Sequence, residues 1–437
     1  MKNKAKRGTR VSYEVYERKF SRIAEQTLFG HLPPEQRDFL RRQALDYRFS
    51  QQELRQISEI GVDLEMWDGP PLSAVWPAAP AVDLTPKERR AFGRRCPASA
   101  PGTPASDPEA IRQRPLQPSG REGYRVRARD RERRHLGLGR CPMASERTRF
   151  CNLLTLDAVE NCGFGCSYCS VRSFYHDDEI HFDSRFAERL EALRLDPDQT
   201  YHIGTGQSSD SLMGGNRFGV LDALTEFAHR HPNVILELKT KSKHVAHLLR
   251  NPIPRNLICT WSLNSQCIIE HEEPRTARLD ERLNAARRVA DRGILLGFHF
   301  HPMTYYADWM ADYSELLFRV EQGFDPSKVA LVSFGTLTFT KSIIHRIRTG
   351  GFKTRILRMP LAESDGKLSY PDAIKLRLFS HAYRGLAAWH DRVFFYLCME
   401  NPRLWRPVFG FEYSSNRAFE VAMKSSYFAK IRGHTHP

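Results

Sequence analysis

One loop of the chain carries three cysteines within eight positions. They have the spacing C-x3-C-x2-C and are Cys162, Cys166 and Cys169. A structural zinc site usually takes four protein ligands, commonly as two close pairs, and Cys151 or His176 would have to complete such a set here. A 4Fe–4S cluster held by three thiolates keeps one iron open, and a chelating cofactor can fill that position. Gly163 and Gly165 let the backbone wrap tightly between the ligands. The spacing therefore favours an iron–sulfur cluster, with zinc as the alternative.

Six short apolar runs from residue 151 onward must position this loop. They are NLLTLDAV, TYHIGTG, VILELKTK, NLICTWSLN, ILLGFHFHP and KVALVSFG. Amphipathic helical stretches such as ARLDERLNAARRVADRG lie between them. Strand–helix units in series predict an α/β fold with a parallel sheet, here a partial (β/α)6 TIM-type barrel. Active sites of such barrels lie at the C-terminal strand ends, and the cysteines follow the first strand. We therefore expect the loop at the active end.

Three successive predicted strands have one apolar face and one polar face. Because side chains alternate along a strand, we expect the apolar faces to meet the helices and the polar faces to line the barrel lumen. The polar set is Glu237, Lys239, Lys241, Thr260, Ser262, Asn264, His299 and His301. Buried polar groups need partners, and a bound polar cofactor would supply them. The lumen is predicted to be a binding site; the alternative is that these side chains satisfy one another.

Composition indicates the compartment and the class of partner. The chain has 437 residues with a formal net charge of +15, which suggests a polyanionic partner, nucleic acid first. It contains no apolar run of the roughly 20 residues that a membrane span needs, and its basic start lacks the apolar core of a signal peptide. We therefore predict a cytoplasmic protein without membrane contact. Nine cysteines then favour metal or redox chemistry over disulfides.

The sequence divides into four predicted regions. Residues 1–68 have the apolar periodicity of an N-terminal helical region. Residues 69–140 are rich in Arg, Pro, Ala and Gly and predict a disordered linker; a phosphate-gripping arm and a frame-shifted stretch are the alternatives. Residues 141–340 form the predicted barrel, and residues 341–437 a C-terminal extension that packs on it. The basic segment HRIRTGGFKTRILR in that extension is either a DNA-phosphate contact or a solvated surface.

The cysteine loop resembles the signature of the radical S-adenosylmethionine (AdoMet) enzymes. The segments ELKTKSKHVAHLL, WSLNS, LNAARRVADRGILLGFHFHPM and YLCMENPRLW, in this order, resemble the spore photoproduct lyase family from about residue 141 to about residue 411. The resemblance implies a six-unit partial barrel, a 4Fe–4S cluster and AdoMet, whose reductive cleavage yields a 5′-deoxyadenosyl radical. It also implies repair of a methylene-bridged thymine dimer in DNA, and a reducing partner such as flavodoxin or ferredoxin.

The resemblance assigns roles to individual residues. Cys162, Cys166 and Cys169 match the cluster ligands, and Tyr168 matches a tyrosine of the radical relay, whereas the next relay tyrosine falls at Ser170. The expected cofactor-binding positions are Gly204, Gly206, Gln207, Ser209, Lys241, Ser262, Asn264 and His301. Of these, His301 falls where the family has a small residue.

One position departs from the family pattern. Characterised lyases carry a cysteine three residues before an aspartate, and it returns a hydrogen atom to the repaired thymine. Here that position is Gln207. Cys398 is the candidate for a relocated donor; the alternative is a buried core cysteine. Because of this departure, the second hypothesis is a radical AdoMet enzyme that acts on RNA, a nucleotide or a peptide. A zinc-stabilised nucleic-acid-binding protein without enzyme activity is the third hypothesis.

Overall fold

The computed structural model describes residues 14–76, 125–130, 138–141, 147–170, 179–351, 353–364 and 366–433. These residues fall into two compact units. The first contains the N-terminal helices together with residues 344–359, and the second contains the rest of the chain from residue 121 onward. Most of the predicted linker 69–140 lies outside the described residues, as does His176.

The first unit consists of short helices. Residues 14–24 are helical, and the further helices are Leu28–His31, Pro34–Tyr47, Gln51–Met66, Leu72–Val75 and Ile356–Arg358. Ser50 and Glu53 form a capping box that starts the helix Gln51–Met66. Arg348 forms ion pairs with Asp63 at 2.8 Å and Glu59 at 3.0 Å. The basic segment around Arg348 is thus partly neutralised within this unit, which does not favour the phosphate-binding interpretation.

The second unit is built on an eight-stranded sheet with the order β14-β10-β9-β8-β7-β6-β3-β2. The strands are β1 (Arg125–Arg129), β2 (Gly139–Arg140), β3 (Leu154–Leu156), β4 (Val159–Glu160), β5 (Glu179–Asp183), β6 (Tyr201–Thr205), β7 (Val234–Thr240), β8 (Leu257–Leu263), β9 (Leu295–Met303), β10 (Val329–Thr336), β11 (Thr338–Phe339), β12 (Ala362–Ser364), β13 (Lys367–Ser369) and β14 (Phe394–Leu397).

The six predicted strands are confirmed as β3 and β6 to β10. They pair in parallel and in chain order, as strand–helix units require. At one edge β14 pairs in parallel with β10, and at the other β2 pairs antiparallel with β3. The sheet therefore extends beyond the predicted barrel end at residue 340, because a short strand from the C-terminal region joins it.

Helices connect the parallel strands and cover the sheet. They are Phe186–Ala192, Val220–Arg230, Ala246–Arg250, Gln266–Glu272, Leu279–Asp291, Trp309–Gly323, Asp372–Arg384, Trp405–Phe409 and Asn416–Ile431, with single turns at Arg217–Gly219, Pro326–Lys328, Ala387–Trp389 and Pro402–Leu404. A further helix, Lys341–Thr349, has its residues from 344 onward in the first unit. The last helix contacts β7, β10 and β14. Among the helices of the described ranges, none combines the length and apolar character that a membrane crossing needs.

Two small sheets accompany the main one. β1 pairs in parallel with β5, which also pairs with β4, and β11, β13 and β12 form a second three-stranded sheet. β1 and β2 both lie inside the segment predicted as a linker. These short pieces thus have regular structure where the composition predicted none: β1 pairs with β5, which the apolar pattern did not reveal, and β2 pairs with the predicted strand β3.

Candidate active site

The cysteine loop follows β4 and is fixed at its start by Asn161. The Asn161 carboxamide oxygen accepts a hydrogen bond from the Cys162 amide at 2.8 Å, and its nitrogen donates to the Glu179 carbonyl at 2.9 Å. Asn161 has a φ of 68° and Gly165 a φ of 69°, a left-handed conformation that suits these two residue types. The Cys169 amide also donates a hydrogen bond to the Cys166 carbonyl at 3.2 Å, which closes a turn between the last two cysteines.

The three thiols lie close enough to influence one another. Burial raises the pKa of Cys162, and Asp210 and the thiols of Cys169 and Cys166 raise it further. Within the described ranges, no three His, Cys, Asp or Glu side chains surround the position of a single metal ion. In a 4Fe–4S cluster the three thiolates would bind three different irons, so they need not surround a single point. The donor set fits a three-thiolate cluster, and metal binding would release the thiol protons.

A buried carboxylate, Glu273, stands beside the loop. Its side chain is fully buried and pairs with the equally buried Arg282, while the Lys241 ammonium lies 3.2 Å away. The Tyr168 hydroxyl donates a hydrogen bond to the same carboxylate. Burial alone would raise the pKa of Glu273, but Arg282 and Lys241 outweigh it and lower the pKa to about 2. The carboxylate is therefore ionised and links the lumen lysine to the tyrosine of the cysteine loop.

The neighbouring Glu272 supports the loop from the same turn. Its carbonyl accepts a hydrogen bond from the Ser167 amide at 3.0 Å, and its carboxylate accepts one from the Ser167 hydroxyl. Sequence reasoning missed Glu272, Glu273 and Arg282, because none of them lies on a predicted strand. The signal that could have found them is an acidic pair directly after an apolar helical turn, followed by an arginine on the next helix.

β6 and the loop that follows it hold four of the predicted cofactor-binding residues. Gly206 has a φ of 79°, and a Cβ there would lie 2.7 Å from the Ser211 hydroxyl oxygen, so only glycine fits. A Cβ on Gly204 would meet the Leu153 side chain at 2.9 Å. The Ser209 hydroxyl is buried and has no hydrogen-bond partner within the described part of the chain. A buried hydroxyl without a partner is a place where a ligand would bind favourably.

The lumen faces of β7, β8 and β9 are polar, as predicted. Glu237 accepts hydrogen bonds from His202 at 2.8 Å, from His299 at 2.7 Å and from the Thr260 hydroxyl at 2.9 Å. The Ser333 hydroxyl extends this hydrogen-bond network. It lies 2.6 Å from Nδ1 of His299 and 3.0 Å from Nε2 of His301. Burial lowers the pKa of both His299 and His301, in the first case to about 4, so both rings are neutral at neutral pH. These residues satisfy one another, as the alternative interpretation held.

Two other predicted residues of the lumen lie in different surroundings. Ser262 is buried on β8, and its carbonyl accepts a hydrogen bond from Arg282 at 2.9 Å. The side chain of Asn264 accepts from the Tyr313 hydroxyl at 2.7 Å and donates to the Pro302 carbonyl at 2.9 Å. The polar side-chain atoms of Asn264 therefore form hydrogen bonds within the protein. This geometry does not support the expected contact of Asn264 with a cofactor.

A cavity of about 660 Å³ occupies the lumen and brings together residues from distant parts of the chain. Its polar lining includes Gln207, Lys239, His299, His301 and the thiols of Cys141, Cys151 and Cys398. Burial raises the pKa of Cys398 far above its usual range and that of Cys151 to about 12, so both thiols keep their protons. Gln207 and Cys398 thus line one cavity, as a relocated hydrogen donor requires.

A family model described as spore photoproduct lyase matches residues 185–365. A spore photoproduct lyase from Geobacillus sp. (strain Y412MC61) is 40% identical over 174 residues, which are 38% of this chain and 51% of that protein. Over this part of its length the chain is similar to the spore photoproduct lyases. The spore photoproduct lyase of Clostridium acetobutylicum is 25% identical over 170 residues, 37% of this chain and 50% of that protein. The chain thus spans about half the length of these two lyases, and the family match begins after the cysteine loop.

Solved spore photoproduct lyase structures have the same fold. One is a mutant with bound AdoMet and dinucleoside spore photoproduct; its TM-score is 0.51 at 21% identity, over 62% of this chain and 82% of that one. A structure complexed with dinucleoside spore photoproduct gives the same values. The likeness shows that the parallel sheet of this chain has the partial-barrel fold of these lyase structures, as predicted.

Proposed function

We propose that this chain is a radical AdoMet enzyme that repairs a pyrimidine photoproduct in DNA. The observation that carries the proposal is the loop of three thiols beside the Tyr168–Glu273–Lys241 network, in a relative of the spore photoproduct lyases. A 4Fe–4S cluster on Cys162, Cys166 and Cys169 and AdoMet beside it would supply a 5′-deoxyadenosyl radical. The electron would come from a reducing partner such as flavodoxin or ferredoxin.

The residues around the loop after β6 would hold AdoMet. Gly206 lets the backbone approach a ligand closely, and the unpartnered Ser209 hydroxyl offers a hydrogen bond. Arg282 already neutralises Glu273, so the ammonium of Lys241 can also bind the carboxylate of AdoMet. Ser262 lies on the next strand of the same sheet. A spore photoproduct lyase structure with bound AdoMet has the same fold, which supports this assignment.

Tyr168 and Cys398 are the proposed catalytic residues on the protein side. The Tyr168 hydroxyl is held by Glu273, and burial raises its pKa, so it carries its proton. In the repair step the thymine methylene radical takes the hydrogen atom of the Cys398 thiol, which forms a C–H bond and leaves a sulfur radical. One electron from the reducing partner and one proton then restore the thiol. Gln207 cannot serve in this step, because its N–H bonds are far stronger than an S–H bond.

Anaerobic reconstitution tests the class of enzyme. The proposal expects a brown protein that contains iron and sulfide and that, with dithionite, converts AdoMet to methionine and 5′-deoxyadenosine. A Cys166→Ala variant should lose most of the iron and this reaction, whereas Cys267→Ala, on the helix Gln266–Glu272, should keep both. A colourless zinc protein in the first experiment would contradict the proposal and favour the nucleic-acid-binding alternative.

A second candidate is a radical AdoMet enzyme that acts on RNA, a nucleotide or a peptide. Gln207 favours it, because Gln207 occupies the position of the family's donor cysteine and has no thiol. This candidate shares the cluster and AdoMet with the first, so only the substrate distinguishes them. Cleavage of AdoMet without any change in irradiated DNA would favour it.

A further inference from the structure

Lys239 is a cation inside the lumen that has no partner among the residues the structure describes. It lies on β7 between Glu237 and Lys241, on the same face of the strand. A lysine two positions from a glutamate would ordinarily pair with it, but three donors, His202, His299 and Thr260, already occupy the carboxylate of Glu237. Lys239 consequently has no hydrogen bond and no ion pair with any described residue, although it is only partly exposed to solvent.

The charged side chains around the cavity leave an excess of positive charge, although Glu237 carries a negative charge near Lys239. The other acidic residue of the lining, Glu420, pairs with Lys424 and also accepts a hydrogen bond from Asn152 at 2.6 Å. Arg140, on β2, lines the same cavity and has no acidic partner within the described ranges. The described lining thus has three cations, Lys239, Arg140 and Lys424, against the two carboxylates of Glu237 and Glu420, and an anionic ligand would neutralise the remaining positive charge.

Lys239 and Lys241 serve different ligands. Residues two apart on a strand lie roughly 7 Å from each other, and Lys241 turns to Glu273 beside the cysteine loop. Lys239 instead lines the cavity that contains Gln207 and Cys398, where the product radical is to be quenched. The anion at Lys239 should therefore belong to the substrate and not to AdoMet.

We propose that the lumen cavity binds a nucleotide lesion with its phosphate, and that Lys239 is the phosphate contact. The inference rests on the proposed function and names the part of the substrate that enters the barrel. A cavity of about 660 Å³ has the size of a small-molecule site and holds a dinucleotide, but not a double helix. The lesion must therefore leave the base stack before it reaches the cavity. The neutral side chains of His301 and Gln207 then contact the uncharged polar groups of the lesion.

The test uses the dinucleotide thymidylyl-(3′→5′)-thymidine and its uncharged methylphosphonate analogue, with full-length reconstituted protein and calorimetry. Losing a charged hydrogen bond costs roughly tenfold to a hundredfold in affinity. Wild type should bind the charged dinucleotide tighter than the analogue by this factor. Lys239→Met should abolish the preference, and Lys239→Arg should retain most of it. The matched control is Lys243→Met, because Lys243 is exposed and pairs with Glu281 outside the cavity.

Equal affinity of wild type for the two probes would overturn the proposal, as would an unchanged preference in Lys239→Met. AdoMet cleavage, measured in the same samples, separates this outcome from failure of the proposed function. Cleavage without a phosphate preference contradicts only the assignment of Lys239. A preference lost in Lys239→Met, in protein that does not cleave AdoMet, supports the cavity site and contradicts the enzyme class.

Discussion

Replacing Glu273 by glutamine should destabilise the protein strongly at neutral pH. The carboxylate is fully buried, and its ion pair with the fully buried Arg282 would become a contact between a cation and a neutral amide. Lys241 and the Tyr168 hydroxyl lose their shared anionic partner in the same step. A buried charge left without compensation costs several kcal/mol, so the main effect comes from Arg282.

The magnitude follows from the pKa of Glu273. The folded protein lowers this pKa from 4.5 to about 2, and such a difference corresponds to about 3 kcal/mol in favour of the ionised form. The neutral glutamine resembles the protonated acid, so Glu273→Gln should lower the free energy of unfolding by about 3 kcal/mol at pH 7. Urea unfolding of the two proteins, followed by circular dichroism, measures this difference.

The pH dependence gives an independent check. Because the pKa is lowered on folding, the carboxylate contributes its full stability above pH 4.5 and loses it as the pH falls toward about 2. The difference between wild type and Glu273→Gln should therefore shrink over this window. The control is Glu281→Gln on the exposed pair with Lys243, which should change stability by less than about 0.5 kcal/mol. A Glu273→Gln variant as stable as this control would refute the reasoning.

Three further predictions address the chemistry. Cys166→Ala should remove most of the iron and sulfide after anaerobic reconstitution, because no other thiol of the loop can replace it; full iron content in this variant would exclude the loop as the cluster site. Lys241→Ala should weaken AdoMet binding by about 1.5–3 kcal/mol, or roughly tenfold to a hundredfold. Calorimetry measures this change, with Lys243→Ala as the control. Unchanged affinity would show that Lys241 does not bind AdoMet. Gln207→Cys should repair photoproduct with fewer side products than wild type in mass spectrometry, while Cys398→Ala should produce more; equally clean repair by all three proteins would contradict the proposed donor.

Alternation along the strands predicted the lumen well. The polar faces of β7 and β9 point inward, and Glu237 and His299 meet there as the period of two requires. The six parallel strands also followed from the sequence, since each is a continuous apolar run between helical stretches. Such patterns depend only on residues that are neighbours in sequence. The strands and their polar faces can therefore be predicted without a structure.

Long-range partners could not be read in this way. β14 is four residues long and joins β10 although more than fifty residues separate the two strands, so its place depends on tertiary pairing. The ion pairs of Arg348 with Asp63 and Glu59 join residues nearly three hundred positions apart. Nor does any periodic pattern mark Glu273, whose role comes from the burial of Arg282 against it.

The central claim is tested most directly by photoproduct repair. Reconstituted wild-type protein is incubated without oxygen with dithionite, AdoMet and DNA irradiated under conditions that form spore photoproduct, and the bases are then quantified by mass spectrometry. The account predicts that spore photoproduct disappears and thymine appears, and that neither happens with Cys166→Ala. Formation of 5′-deoxyadenosine with the photoproduct unchanged would contradict the assignment of the substrate.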